Sequence, residues 1–301
     1  MHILTIKQLQ AGEYLGSKLR IEKTFKEEEK YIAYLASYQS EGLKIYGYLT
    51  IPKTEKPANG YPVIIFNRGY IDLKEYKTEW QYTRYVHFLA SSGYIVFKSD
   101  YRGAGESEGE VENLMESGFA IDVLNGVASI KTLPEVDQKR IGVWGHSLGG
   151  DVSLKVILAS KDIKAAVVWS APLMPYDQSL KRWYDPKVLE TLKPEEKEKR
   201  LEMLDKMVAK FGDPNTNPEN YQEISPISHV KEINIPIEIH HGLLDDRVPV
   251  TNSENLHQAL EALGKQTKLH LYKDGDHNLS GKELKEAMEK SIKFFNKYLK
   301  D

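Results

Sequence analysis

The chain has 301 residues, 41% of them apolar, enough to bury the core of one large α/β domain or two ordinary ones. Its 41 lysines and arginines and 44 aspartates and glutamates leave a formal net charge of −3 and are scattered along the whole length. That distribution offers no basic stripe for phosphates, so nucleic acid is not an expected partner. There is no cysteine, which excludes disulfides, thiolate metal sites and cysteine nucleophiles. No stretch reads as a signal-peptide core or approaches the ~20 apolar residues of a membrane span, so the chain is expected to be soluble, cytoplasmic and free of membrane.

A polar segment, residues 1–37, precedes the expected main domain, residues 38–301. Alternating apolar and polar residues in "YIAYLASYQSEGLKIYGYLTIP" flank "SEG" and predict a β-hairpin. The β-branched run "YPVIIFN" reads as a strand covered on both faces. A helix with Trp80, Thr83, Val86 and Leu89 on one face ends before Gly93, and the strand "YIVFKSD" follows. Next come a helix over about Gly118 to Lys131, the strand "RIGVW", and a helix with Leu148, Val152, Val156 and Ala159 aligned. The strand "AAVVW" follows. After a long interval come "IEIHH", a helix around Glu254 to Leu263, "KLHLY", and a terminal helix aligning Leu284, Met288, Ile292, Phe295 and Leu299. This alternation predicts an α/β fold with a mostly parallel, doubly wound sheet. The interval, about residues 173–224, holds charged helical stretches and a proline-asparagine loop but no good strand, and is expected to form a helical cap that shapes a pocket.

"GHSLGG" carries Gly145, Ser147 and Gly149 as G-x-S-x-G, placed directly after a strand and at the start of an amphipathic helix. A tight strand-to-helix turn there would lift a serine hydroxyl above the sheet, which makes Ser147 the candidate nucleophile. A serine hydroxyl needs a base within reach. His2, His87 and His257 lie in a terminal segment and two helices, and His146, beside the nucleophile at a sharp turn, should point away from it. His240, His241 and His270 belong to strands. His277, in the loop "KDGDHNL" after the last strand, lies at the sheet edge where open α/β folds place their sites, and is the expected base. A metal site built from His240, His241, an aspartate and His277 lacks any recognised ligand spacing, and no metal or cofactor is expected. The acid should come from the loop after the preceding strand, where "GLLDDRVPV" offers Asp245 and Asp246. The N–H of Leu148 and an N–H from "FNRGYID", taken as that of Tyr70, are the expected oxyanion donors.

Together, "YQSEGLKIYGYLTIP", "VIIFNRGY", "DYRGAGESEGE", "RIGVWGHSLGG", "SPISHVKEINIPIEIHHGLLDDRVPV" and "DGDHN" resemble the α/β-hydrolase superfamily, in its prolyl oligopeptidase and dienelactone hydrolase-like branch. The resemblance implies a Ser147, Asp245, His277 triad, selecting the first of the two aspartates, with Asp246 and Arg247 as a polar pair that fixes the loop. It makes "DYRGAGES" a structural glycine loop beside the site. Two departures stand out. Many relatives carry His-Gly where this chain has Arg68-Gly69, and the propeller of true prolyl oligopeptidases has no room before the hairpin. Whether Tyr70 acts through its N–H or its hydroxyl is open.

The expected chemistry is hydrolysis of carboxylic esters through an acyl-enzyme on Ser147, because an ester has a better leaving group than an amide. The alternative is a serine peptidase of the aminopeptidase or acylaminoacyl type, taking short peptides. A ligand-binding protein that kept the fold without catalysis is the reading from another class. Trp183 and Tyr184, with the basic pair Lys181 and Arg182, are the cap residues expected to line or rim the substrate pocket.

Overall fold

The structure is a computed structural model and describes residues 2–111 and 113–300. A short helix α1 (Ile6–Ala11) opens on a reciprocal cap between Thr5 and Gln8. Strand β1 (Arg20–Glu27) pairs antiparallel with β2 (Tyr31–Ser40), and β2 with β3 (Leu43–Pro52). The expected hairpin turns at Glu41 and Gly42, both at positive φ (49° and 81°), the conformation of a two-residue turn that matches strand twist. Strand β4 (Tyr61–Asn67) is buried at every position, as its unbroken apolar run demands.

Then the alternation sets in: α2 (Thr83–Ser91), β5 (Ile95–Ser99), α3 (Gly118–Ile130), β6 (Val136–His146), α4 (Leu148–Ala159) and β7 (Ile163–Trp169). Four helices follow with no strand between them, α5 (Tyr176–Trp183), α6 (Pro186–Leu189), α7 (Pro194–Phe211) and α8 (Pro218–Ile224), and a 3-10 turn over Pro226–Glu232. The chain returns to the sheet as β8 (Ile237–Gly242), α9 (Thr251–Ala262), β9 (Thr267–Tyr272) and α10 (Glu283–Leu299).

Among the described residues nine strands form one sheet in the order β1-β2-β3-β5-β4-β6-β7-β8-β9. Every neighbouring pair from β5 to β9 is parallel, and the pairs from β1 to β5 are antiparallel. One core lies under α3, α4 and α9, centred on residues such as Phe97, Val143, Val152 and Leu256; a second lies under α2 and α10, around Trp144, Trp169, Met288 and Phe295. The helices between β7 and β8 close a third cluster, with Tyr176, Leu180, Met207 and Tyr221, joined by Ile3 and Met115. From β4 the chain steps to β5 on one side and then to β6 on the other. That reversal of strand order opens a crevice at the strands' C-terminal ends.

Two expectations need correcting. Trp80 is not on the helix with Thr83, Val86 and Leu89: α2 starts at Thr83, Tyr82 before it stands at φ 64°, and Trp80 sits in the preceding turn, 62% exposed. The N-terminal segment is no mere polar leader, since β1 belongs to the sheet, and the division expected between residues 37 and 38 falls inside β2. Strand β1 is exposed at nearly every position and rich in charge, the dress of a protected edge strand. It therefore lacks the alternation that would have announced it.

Candidate active site

The turn between β6 and α4 places Ser147 at φ 54°, ψ −126°, a conformation that costs a non-glycine residue energy. Its N–H donates to Trp169 O at 2.9 Å and its carbonyl accepts from Gly150 N at 2.8 Å, so both neighbouring strand and following helix hold the turn. Gly149 is required by proximity: a Cβ there would lie 2.0 Å from Asn67 O. The loop leaving β4 thus passes directly over the first turn of α4, bringing Tyr70 and Leu148 to one small cavity with Ser147.

The loop after β8 is tied to the loop after β9 by Leu243 N to Tyr272 O (2.8 Å) and Leu244 N to Gly275 O (2.9 Å). Gly242 makes that approach possible, since a Cβ would come within 2.2 Å of Gly275 O. The result is that His277 Nδ1 stands 2.8 Å from Asp245 Oδ2, with both side chains buried. Asp245 Oδ2 also meets His241 Nε2 at 3.1 Å, and Oδ1 accepts from the N–H groups of Arg247 and Val248, each at 2.9 Å. Burial alone would raise the Asp245 carboxyl. The bonds from His241, His277, Val248 and Arg247 outweigh it and hold the group far below the usual carboxylate range.

Of the adjacent aspartates, therefore, it is Asp245 that meets His277, while Asp246 is exposed. The expected Asp246–Arg247 pair is not formed; among the described residues Asp246 has no polar partner, and Asp245 itself fixes the loop. His146 does point away from the serine, as expected, into a buried position on the α2 side. Arg68 lines the larger of two cavities beside the site, but its polar contacts are structural. Its guanidinium is stacked between Tyr76 (4.2 Å) and Tyr101 (4.8 Å) and donates to Gly69 O at 3.1 Å and Asp100 O at 2.6 Å, bracing the loop from beneath. The "DYRGAGES" stretch adds the side chain of Asp100, which accepts from Tyr76 and Thr78.

Two cavities meet at Tyr70 and Leu148. The smaller, about 120 Å³, is lined by Ser147, Leu114, Met115, Tyr176, Ser179 and Trp183 among others. The larger, about 530 Å³, extends over Ile71, Val111, Phe119 and the α7 residues Arg200 and Met203. Trp183 lines both. Tyr184 lines neither; its hydroxyl donates to Arg200 O and its ring packs into the core of the helical insert. Arg182 rims a third, neighbouring cavity, and Lys181 is paired with Asp177 at 3.5 Å. Tyr176 and Ser179, in the cavity with Ser147, and Met203, in the larger one, carry no motif, so only the fold reveals them.

Among the described residues Glu238, His240 and His270 form a group of metal-ligating composition whose ligand atoms lie within 4.8 Å of one another. It is satisfied as a hydrogen-bond network, each Glu238 oxygen taking one imidazole Nε2 (3.0 and 3.2 Å). The combination of His240, His241 and His277 is not assembled: His240 and His241 project to opposite faces of β8, toward Tyr272 and Ser253.

Residues 201–301 match the Prolyl oligopeptidase family and residues 75–220 the family described as Serine aminopeptidase, S33. The chain is 27% identical over 245 residues to the uncharacterized peptidase YuxL of Bacillus subtilis, covering 80% of this chain and 34% of that protein. It thus spans about a third of the length of this curated relative. Among solved structures, an acylaminoacyl peptidase of Pyrococcus horikoshii superposes with a TM-score of 0.68 at 22% identity, over 95% of this chain and 50% of that one. An acetyl xylan esterase from Paenibacillus sp. R4 superposes at 0.69 with 18% identity, over 98% and 92%. Among the described residues no helix is long and apolar enough to cross a membrane.

Proposed function

We propose that the chain is a serine hydrolase of the α/β-hydrolase type, related to prolyl oligopeptidases, and that it hydrolyses carboxylic esters through an acyl-enzyme on Ser147. The observation that carries the reading is the Asp245–His277 pair, 2.8 Å apart, with the His277 ring packed 4.8 Å from that of His146, the residue before a serine held at positive φ. With Asp245 accepting the Nδ1 proton, the second nitrogen of His277 is the one left to take the Ser147 proton as the hydroxyl attacks the carbonyl. The N–H groups of Tyr70 and Leu148 receive the oxyanion. His277 then protonates the leaving alcohol, and water attacks the acyl-enzyme with the same imidazole as base. The apolar lining around Ser147 suits an acyl group of small size, and an alkoxide leaves more readily than an amide nitrogen. Trp183, shared by both cavities, is placed to divide acyl from alcohol.

A second reading, cleavage of aminoacyl or acylaminoacyl amides, is favoured by the match of residues 201–301 to the prolyl oligopeptidase family. A fluorophosphonate should label the wild type and leave Ser147→Ala unlabelled; an unlabelled wild type would sink the catalytic reading altogether. Nitrophenyl esters from acetyl to long acyl, run against aminoacyl nitroanilides, separate the two readings. Amide cleavage at rates near those of the best ester would replace the esterase assignment with the peptidase one.

A further inference from the structure

Behind the Ser147 turn, on the face covered by α2 and α10, three polar contacts form one directed chain. The Gly69 N–H donates to Tyr82 Oη at 2.9 Å. Tyr82 Oη and His146 Nδ1 are 2.7 Å apart, and His146 Nε2 lies 2.9 Å from the carbonyl oxygen of His277. A carbonyl can only accept, so His146 carries a proton on Nε2. A neutral ring then leaves Nδ1 as acceptor, and the Tyr82 hydroxyl donates into it while its lone pair takes the Gly69 N–H. Tyr82 and His146 each accept once and donate once, between a backbone N–H that only donates and a carbonyl that only accepts, which fixes the direction from the loop after β4 to the loop after β9.

The surroundings keep the ring neutral. His146 is 2% exposed; burial first, and then the neighbouring His277, push it down to about 3, with Arg247 acting the same way and Asp245 opposing. Its ring lies 4.8 Å from that of His277 and 5.6 Å from that of Tyr82, so no space for water separates the three.

The chain joins two parts that the proposed mechanism needs at a fixed separation. Gly69 immediately precedes Tyr70, whose N–H is one expected oxyanion donor, and His277 is the expected base. We propose that His146 and Tyr82 are positioning residues, which clamp the oxyanion loop to the backbone of His277 across the back of Ser147. The inference rests on the serine hydrolase reading above. It gives a task to the residue before the nucleophile, which touches no reacting atom.

Tyr82→Phe removes one hydroxyl and keeps the ring contacts to Phe66 and Tyr85. His146→Leu removes both nitrogens, and His146→Gln can restore the bond to the His277 carbonyl. Turnover of a nitrophenyl ester is measured per active site titrated with a fluorophosphonate, so misfolded protein does not count. Both Tyr82→Phe and His146→Leu should lower kcat by about 10- to 100-fold with KM nearly unchanged, the scale expected when reacting groups lose their registration. Glutamine should recover part of the loss, and the double variant should be no worse than the worse single one, because both break the same chain. Unchanged kcat per titrated site in the two single variants, or losses that multiply in the double, would overturn the proposal.

A second measurement does not depend on activity. In Ser147→Ala, long-range proton–nitrogen spectra should show the His146 ring neutral, with its proton on Nε2, from pH 5 to pH 8. Titration of His146 in that range, or the other tautomer, would refute the clamp. If the wild type takes no label, the esterase reading fails while the imidazole spectrum still decides whether the chain exists.

Discussion

Strand β8 supplies two clusters of the same composition, each a carboxylate with two imidazoles, and they do different things. Glu238, His240 and His270 lie on the α10 face of β8 and β9; His241 projects from the opposite face of β8 and meets Asp245, in the loop after β8, which in turn meets His277 in the loop after β9. In the first, burial pushes against the charge of Glu238, but the bonds from His240 and His270 win and bring it down to about 2. His240 is fully buried and is pushed down to about 4, chiefly by that burial. Its Nε2 goes to Glu238 and its Nδ1 to the Tyr272 hydroxyl at 2.8 Å, so the ring has no nitrogen left over. In the second cluster, His277 commits only Nδ1, and among the described residues no partner takes its other nitrogen. His270 likewise commits only Nε2 among the described residues, so the clusters differ in where the remaining nitrogen stands: His270 lines a cavity with Lys290 and Tyr298, whereas His277, the proposed base, packs against His146 at the end of β6.

The sharpest way to break that comparison is to change the carboxylate that meets His277. Asp245→Asn presents an amide to His277 and favours the wrong tautomer, so kcat should fall by about 10⁴, the loss known for the orienting aspartate of a serine protease triad. Asp246→Asn, at an exposed side chain, should stay within about twofold, as surface changes remote from buried networks are worth about 0.5 kcal/mol or less. Steady-state kinetics on one ester decides the pair, and equal losses in both would reverse the assignment. The next largest effect is expected at His241, which shares Asp245 Oδ2 with the base. His241→Ala leaves Asp245 three of its four donors, and should lower kcat by about tenfold, since a hydrogen bond to a charged group is worth about 1.5–3 kcal/mol. An unchanged kcat would show that His277 and the two backbone N–H groups suffice.

Ser147 was legible because glycines, strand and helix meet there in an order that local geometry demands, and His277 because its loop follows the last strand. Asp245 needed the resemblance as well, since adjacency alone cannot say which of two loop carboxylates turns inward. What the sequence hid has a common cause. The contacts of His146 to Tyr82 and His277 span 64 and 131 residues, and no local period encodes such pairings. Strand β1 was silent because its side chains are exposed on both faces, and Trp80 misled because an aromatic at helical spacing can equally stand in the turn before the helix. The doublet His240-His241 was unreadable for the opposite reason: both rings are buried and bonded, on opposite faces, and only one of them touches the site.

The smallest effect on activity, and the one that separates the two clusters most cleanly, belongs to Glu238→Gln. The change lies on the α10 face, so kcat should be nearly that of the wild type, while stability at pH 7 should fall by about 1–3 kcal/mol, because a buried hydrogen-bonded charge is replaced by a weaker partner. The pH dependence follows from the direction of the shift. A carboxyl lowered from 4.5 to about 2 by folding contributes stability that is complete above the unfolded value and disappears as the pH falls through the folded one. His240, depressed from 6.5 to about 4, adds acid sensitivity of the same sign between those values in the wild type. Urea unfolding from pH 7 down to about pH 3.5 should therefore show the gap between wild type and Glu238→Gln constant at first and narrowing below about 4.5. A gap that widens in acid, or a large loss of kcat at pH 7, would mean that the Glu238 network serves the chemistry of Ser147 and not only the fold beneath it.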